Sequence, residues 1–169
     1  MARVALLLGG NRGDVKRTLQ QAQQLINERV GAVMRCSNRY ESLPWGFEDE
    51  QTFFNQALEV STDLSPIEVL DTIQQIELDL GRDRAAEAQE KAATGACYVG
   101  RPIDIDILFY GAEVIHSERL VVPHPHLPER EFALVPLHEI MRQMVHPETG
   151  QTVAEMLLAL RTREANKQA

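Results

Sequence analysis

The stretch Gly100–Gly111, GRPIDIDILFYG, decides how this chain is read. Ile103, Ile105, Ile107 and Phe109 alternate with Asp104, Asp106, Leu108 and Tyr110, the period-two pattern of a β-strand with unlike faces. Aspartate is depleted from strands, and like charges two residues apart on one face repel. The flanking isoleucines and Phe109 predict a buried strand rather than an edge, which leaves the acidic pair in need of a partner. Side chains at i and i+2 sit roughly 6–7 Å apart at their Cα atoms, so two carboxylates so placed suit a shared hard cation. The plainer alternative is an edge strand whose acidic face is solvated.

Upstream of this strand the chain reads as strand, helix, strand, strand and helix. RVALLLGGNRGD reads as an apolar strand ending in glycines, with Asp14 capping a helix whose buried face is Val15, Leu19, Ala22 and Ile26 and whose end is Gly31. AVMRCSNRYES reads as a second strand. FFNQALEVST reads as a third, with Phe54, Leu58 and Val60 on one side and Phe53, Asn55 and Ala57 on the other. SPIEVLDTIQQIELDLG is the clearest helix: Ser65 caps it, Pro66 opens it, Glu68 completes a capping box and Gly81 stops it. Its stripe is Val69, Leu70, Ile73, Ile76 and Leu80, leaving Gln74, Glu77 and Leu78 on flanks that look toward a site.

AAEAQEKAATGACY keeps no sustained strand period and reads as a long mobile connection, with helix over part of it as the alternative. After the aspartate strand come small strands and turns in EVIHSERLVVPHPHLP. Two helical segments follow, one interrupted by Pro136 and one starting at Thr152 with Glu155 as its capping box. The order strand, helix, strand, strand, helix, strand predicts an α+β, ferredoxin-like βαββαβ sandwich with appended C-terminal helices. Helices are expected on one face of the sheet, the other being free or covered by loops. With 169 residues and neither repeat nor linker, the expectation is a single domain over 1–169.

Composition narrows the class. A hydrophobic share of 44% against 25% charged is the balance of a soluble globular chain, and no apolar run reaches the roughly 20 residues a membrane span needs. The net charge of −8 argues against nucleic acid as the main partner. Cys36 and Cys97 make no metal spacing, and reduced thiols in the cytoplasm are expected. Arg82, Arg84, Arg101, Arg119 and Arg130 gather in the middle and later parts of the chain, near the aspartate strand or the segments flanking it. Arginine grips phosphate oxygens bidentately, although a helix C-terminus alone would explain one of the pair Arg82 and Arg84. Arg101 points away from Asp104 in an ideal strand; Pro102 marks an irregular approach that can re-aim it. LLLGGNRGD lacks the spacing of a nucleotide loop. His124 and His126 lack the further ligands a zinc site needs. Phe53 and Phe132 beside Asn55 and Arg130 are either core or a sandwich for a flat heterocycle.

Taken in series, LLLGGNRGD, YESLPWGFEDEQTFFNQALEV, IQQIELDLGRDR, GRPIDIDILFYG and LVVPHPHLPEREFALVPLHEI resemble the 6-hydroxymethyl-7,8-dihydropterin pyrophosphokinase family of folate biosynthesis, from about Val4 to about Ile140. The resemblance implies diphosphate transfer from ATP to the pterin hydroxymethyl group with release of AMP. It implies that Asp104 and Asp106 hold two Mg²⁺ ions against the triphosphate. Phe53 and Phe132 would stack on the pterin, and Asn55 would read its edge with backbone groups of Ser42, Leu43 and Trp45. Gln74, Glu77, Arg84, Arg101, His124 and Arg130 would line the ATP site, with Ile107 offering backbone groups near the adenine. Arg82 and Arg101, with the two aspartates, would serve the chemical step. A monomer is the expected state. The sequence departs from the family at Gly10 (usually serine), at Leu43 (commonly proline), and between Arg84 and Arg101, where the chain is longer and YVG stands for Trp-Gly-Pro. There Tyr98 is the candidate replacement for the tryptophan and Lys91 the candidate basic residue. A non-catalytic ligand-binding module and a metal-dependent phosphohydrolase are the competing readings.

Overall fold

A computed structural model describes residues 1–42, 52–95 and 100–168. Its main sheet is antiparallel throughout. β1 (Ala2–Gly10) is central, between β4 (Phe53–Thr62) and β5 (Asp104–Tyr110), and β2 (Ala32–Cys36) lies outside β4. β3 (Tyr40–Ser42) also pairs with β4, so the second predicted strand is two short ones broken around Ser37–Arg39. With α1 (Val15–Arg29) and α2 (Pro66–Asp79) as crossovers, this is the expected βαββαβ sandwich.

Local chemistry explains the helices. Asp14 accepts the Arg17 N–H and caps α1, which buries Val15, Leu19, Ala22 and Ile26. Ser65 and Glu68 form the reciprocal capping box of α2, which buries Val69, Ile73, Ile76 and Glu77. These two helices, the isoleucines of β5 and alternate residues of β1 and β4 (Leu6, Leu8, Leu58, Val60) form one core.

The second sheet face is not left to loops. α4 (Glu131–Met141) and α5 (Val153–Gln168) pack over Ala5, Leu7, Ala57, Leu108 and Phe109, a second core on the opposite side. Pro136 sits inside α4 without ending it, and Thr152 and Glu155 cap α5 reciprocally. The apolar character of that sheet face required such a cover.

Three other expectations change. Phe109 does not share the isoleucine face. Ala5 pairs with Phe109 and Leu6 with Ile107, so Leu108 is an extra residue, a β-bulge that sends Phe109 to the α4 side and Tyr110 to the α2 side. β5 is also an edge strand, not an interior one. Its outer edge is met by the turn that follows the small pair β6 (Ile115–His116) and β7 (Val121–Val122), where the His124 N–H donates to the Leu108 carbonyl at 3.0 Å. The segment read as a mobile connection contains α3 (Arg84–Thr94), capped by the Asp83 carboxylate at one end and by Gly95 at φ 73° at the other. α3 buries no side chain, so it carries no apolar stripe for a sequence reading to find.

Candidate functional site

α4 and α5 stop short of one end of the sheet, and there the second face opens into a cleft of about 410 Å³. Its floor follows from register. Asp104 lies opposite Gly9 and Asp106 opposite Leu7 on one side of β1; Asn55 lies opposite Gly9 on the other. Strand alternation therefore lays Asp104, Asp106, Leu7, Gly9, Asn55 and Phe53 along one surface. Gly9 leaves room for the side chains of the floor: a Cβ there would stand 2.5 Å from Phe53 Cε1 and 2.9 Å from Asn55 Oδ1, and both would have to shift.

One half of the cleft is aromatic and neutral. Phe53, Phe132, Ser42 and Asn55 line it. Asn55 is buried and donates from Nδ2 to the Ser42 hydroxyl at 3.1 Å, while its Oδ1 has no hydrogen-bond partner among the described residues. A buried, unanswered carbonyl in a cleft wall suits an N–H donor of a ligand. Leu43 and Trp45 lie outside the described residues, as does Tyr98.

The other half is charged. Asp104, Asp106, Arg82, Arg84, Arg101, Arg130, Gln74, Glu77 and His124 all line it. Arg101 is re-aimed as the irregular approach allowed, its Nη1 lying 3.7 Å from Asp104 Oδ2. The Asp106 carboxyl is pushed up to about 8, first by burial and then by the neighbouring Asp104 charge. Arg82 and Arg101 answer the charge of Asp104, and the acidic pair still offers oxygens to a further cation. Among the described residues no cluster of three His, Cys, Asp or Glu side chains is arranged to hold a metal. The pair therefore suits an ion that takes its other ligands from water or phosphate, as Mg²⁺ does.

Arg82 is placed differently from a free phosphate grip. It is buried, with Nη1 2.7 Å from Glu77 Oε2 and 3.0 Å from Asp104 Oδ1, and Nε and Nη2 on the two carboxylate oxygens of Glu87. Burial alone works against its charge, but Glu87, Asp104 and Glu77 outweigh it and raise its pKa. Glu77, also buried, accepts in addition from the Ile105 N–H at 2.9 Å and from Arg84 at 3.1 Å. It thus ties α2 to the backbone between the two aspartates. Burial raises the Glu77 carboxyl and Arg82 draws it back.

His124 is lowered to about 4 by burial, with Arg130 and His126 adding to it, so its imidazole is neutral at neutral pH. Its Nδ1 accepts the His126 N–H at 3.2 Å, which leaves the ring proton on Nε2. The Arg130 guanidinium lies over the Phe132 ring at 5.5 Å, joining the two halves of the cleft.

One expectation fails on side-chain direction: Leu78 is exposed to solvent and does not line the cleft. The Ile107 side chain turns into the α1–α2 core, and its expected part concerns its backbone groups alone. Sequence reasoning missed Leu7, Gly9, Leu70, Ile105, Pro125 and His126 in the lining, and Glu87 as a partner of Arg82. Gly9 was legible in principle as a glycine within a strand, a mark of close approach; Glu87 carried no local signal.

Comparison with known proteins points to one family. The family described as 7,8-dihydro-6-hydroxymethylpterin-pyrophosphokinase matches residues 5–142. The 2-amino-4-hydroxy-6-hydroxymethyldihydropteridine pyrophosphokinase of Bacillus subtilis is 40% identical over 140 residues, covering 82% of this chain and 78% of that protein. The protein of the same description from Aquifex aeolicus is 40% identical over 147 residues, 87% of this chain and 85% of its own. A folic acid synthesis protein of Pneumocystis carinii is 36% identical over 89% of this chain, which spans only 19% of that longer protein. Among solved structures, wild-type Plasmodium falciparum HPPK-DHPS with pteroate superimposes at TM-score 0.78 over 99% of this chain and 46% of its own length. At 16% identity that likeness speaks to the fold.

Proposed function

The chain belongs to the 7,8-dihydro-6-hydroxymethylpterin-pyrophosphokinase family, and from that premise we propose that it moves diphosphate from ATP to 6-hydroxymethyl-7,8-dihydropterin, releasing AMP. The observation that carries this reading is the two-part cleft. An aromatic, amide-edged half adjoins a half with two aspartates and converging arginines.

The division of labour follows from the chemistry of each half. Phe53 and Phe132 offer faces to a flat heterocycle, and the unanswered Asn55 Oδ1 accepts an N–H from its edge. Backbone groups of Leu43 and Trp45 belong to the same reading. Asp104 and Asp106 would hold two Mg²⁺ ions. Bound there, the cations would neutralise triphosphate charge and relieve the repulsion that raises Asp106. Arg101, Arg130 and Arg84 bind phosphate oxygens, the neutral His124 donates from Nε2, and Gln74 with the Ile107 backbone serves the nucleotide. Arg82 acts through Asp104, which it holds at 3.0 Å.

In the reaction, the pterin hydroxymethyl oxygen forms a bond to the β-phosphorus. The bond from that phosphorus to the bridging oxygen next to the α-phosphorus breaks, and AMP leaves with the electron pair. The hydroxyl proton passes to solvent or a carboxylate of the cleft. The protein's part is alignment and charge compensation, the two terms that dominate phosphoryl transfer. This reading takes residues 1–169 as one domain, acting as a monomer in the cytoplasm; none of the described helices is long and apolar enough to cross a membrane.

Incubation with ATP, Mg²⁺ and the pterin is expected to yield AMP and the pterin-methyl diphosphate. ADP as product, or no turnover by folded protein, would sink the proposal. Phosphate release without the pterin would instead mark a phosphohydrolase. Asp104→Ala and Asp106→Ala are each expected to abolish turnover while leaving a folded protein, and chelation of Mg²⁺ to do the same.

A further inference from the structure

Arg101 belongs to no strand: residues 100–103 precede β5, and Pro102 beside it has no N–H to offer a sheet. Something else fixes where its guanidinium hangs. The tip does not do it, since Nη1 is 3.7 Å from Asp104 and Nε has no hydrogen-bond partner among the described residues.

The backbone of Arg101 is fastened from both sides by one residue. The Asn11 N–H donates to the Arg101 carbonyl at 2.9 Å, and the Arg101 N–H donates to Asn11 Oδ1 at 2.9 Å. Asn11 is fully buried. Its neighbour Gly10 lets the two backbones meet, because a Cβ at Gly10 would lie 2.4 Å from the Pro102 carbonyl oxygen. The amide oxygen is suited to this place. It is an acceptor of the reach a strand partner would offer, without a charge buried beside Asp104 and Asp106.

We propose that Asn11 is the positioning residue of Arg101, setting the guanidinium over the aspartates by gripping both backbone groups. The proposal rests on the pyrophosphokinase reading for its catalytic consequence, and the test separates the two. Amide exchange of the wild-type protein, read by NMR, needs no turnover. The Arg101 N–H is expected to be protected, and in Asn11→Ala to exchange about 5-fold faster, the effect of losing a bond worth ~1 kcal/mol. In steady-state assays Asn11→Ala is expected to lower kcat about 100-fold, the scale of a misplacement near 1 Å. KM for the pterin should stay unchanged. The double variant Asn11→Ala/Arg101→Ala should be no slower than Arg101→Ala alone.

An Arg101 N–H that exchanges like an open loop in the wild type would overturn the clamp, whether or not Asn11→Ala folds. Full kcat in folded Asn11→Ala, or losses that multiply in the double variant, would overturn its positioning role. A wild-type protein that makes no AMP fails the pyrophosphokinase reading instead, and is recognised before any variant is made.

Discussion

α2 and α3 are consecutive helices joined by a short turn, each started by a side-chain cap, yet they are held by different forces. α2 buries Val69, Ile73 and Ile76 against the sheet and brings the carboxylate of Glu77 inside with them. α3 buries nothing and is tied down by charge: Arg82 grips Glu87 with Nε and Nη2, Arg12 grips Glu90 with both terminal nitrogens at 2.6 and 3.1 Å, and Arg84 reaches Glu77. Glu87 and Glu90 are three residues apart, hence on one face of the helix. Apolar packing sets α2 at all salt concentrations, whereas an ionic clasp can be let go without unmaking the core.

Removing the link between the two helices should have the largest effect. Glu77→Ala leaves Arg82 buried with one fewer carboxylate, and breaking a buried pair costs about 3–5 kcal/mol. Denaturant unfolding should show that loss, and full stability would mean that Glu87 and Asp104 suffice for Arg82. Next, Ile76→Ala in α2 should cost about 2–5 kcal/mol in the same measurement, as for other large-to-small core changes. By contrast Glu90→Ala in α3 should change global stability by less than about 1 kcal/mol, since the Arg12–Glu90 pair is exposed at 43% and 37%. Its effect belongs in the amide exchange of residues 84–94, which should quicken. The smallest effect is that of salt. Raising ionic strength to about 1 M shortens the Debye length to roughly 3 Å. That should speed exchange in α3 and leave α2 as it was; equal response of both helices would erase the contrast.

How much of this could be read beforehand divides along the same line. The stripe of α2, its capping box, the buried face of α1 and the two-sided character of β4 are short-range patterns, and each took its predicted place. α3 was read as a helix only as the alternative to a mobile connection, because its only signals were its caps, Asp83 and Gly95. The C-terminal helices were found, but not the face they cover, which depends on sheet twist and connection rather than on their own period. Within the cleft, residue types were legible and alliances were not. Arg82 was read as a residue of the chemical step, and nothing in its surroundings in the chain announced that Glu77, Glu87 and Asp104 enclose it.

The sequence by itself determined the alternation that puts Asp104 and Asp106 on one face, the helices that fill the other, and the family motifs, because these are local in the chain. Only the tertiary structure decided that Leu108 bulges and turns Phe109 over, that β5 is an edge strand, and that Asn11 holds Arg101 from 90 residues away. Each of those depends on register between segments distant in sequence, and register is fixed when the sheet closes its hydrogen bonds and buries both faces at once.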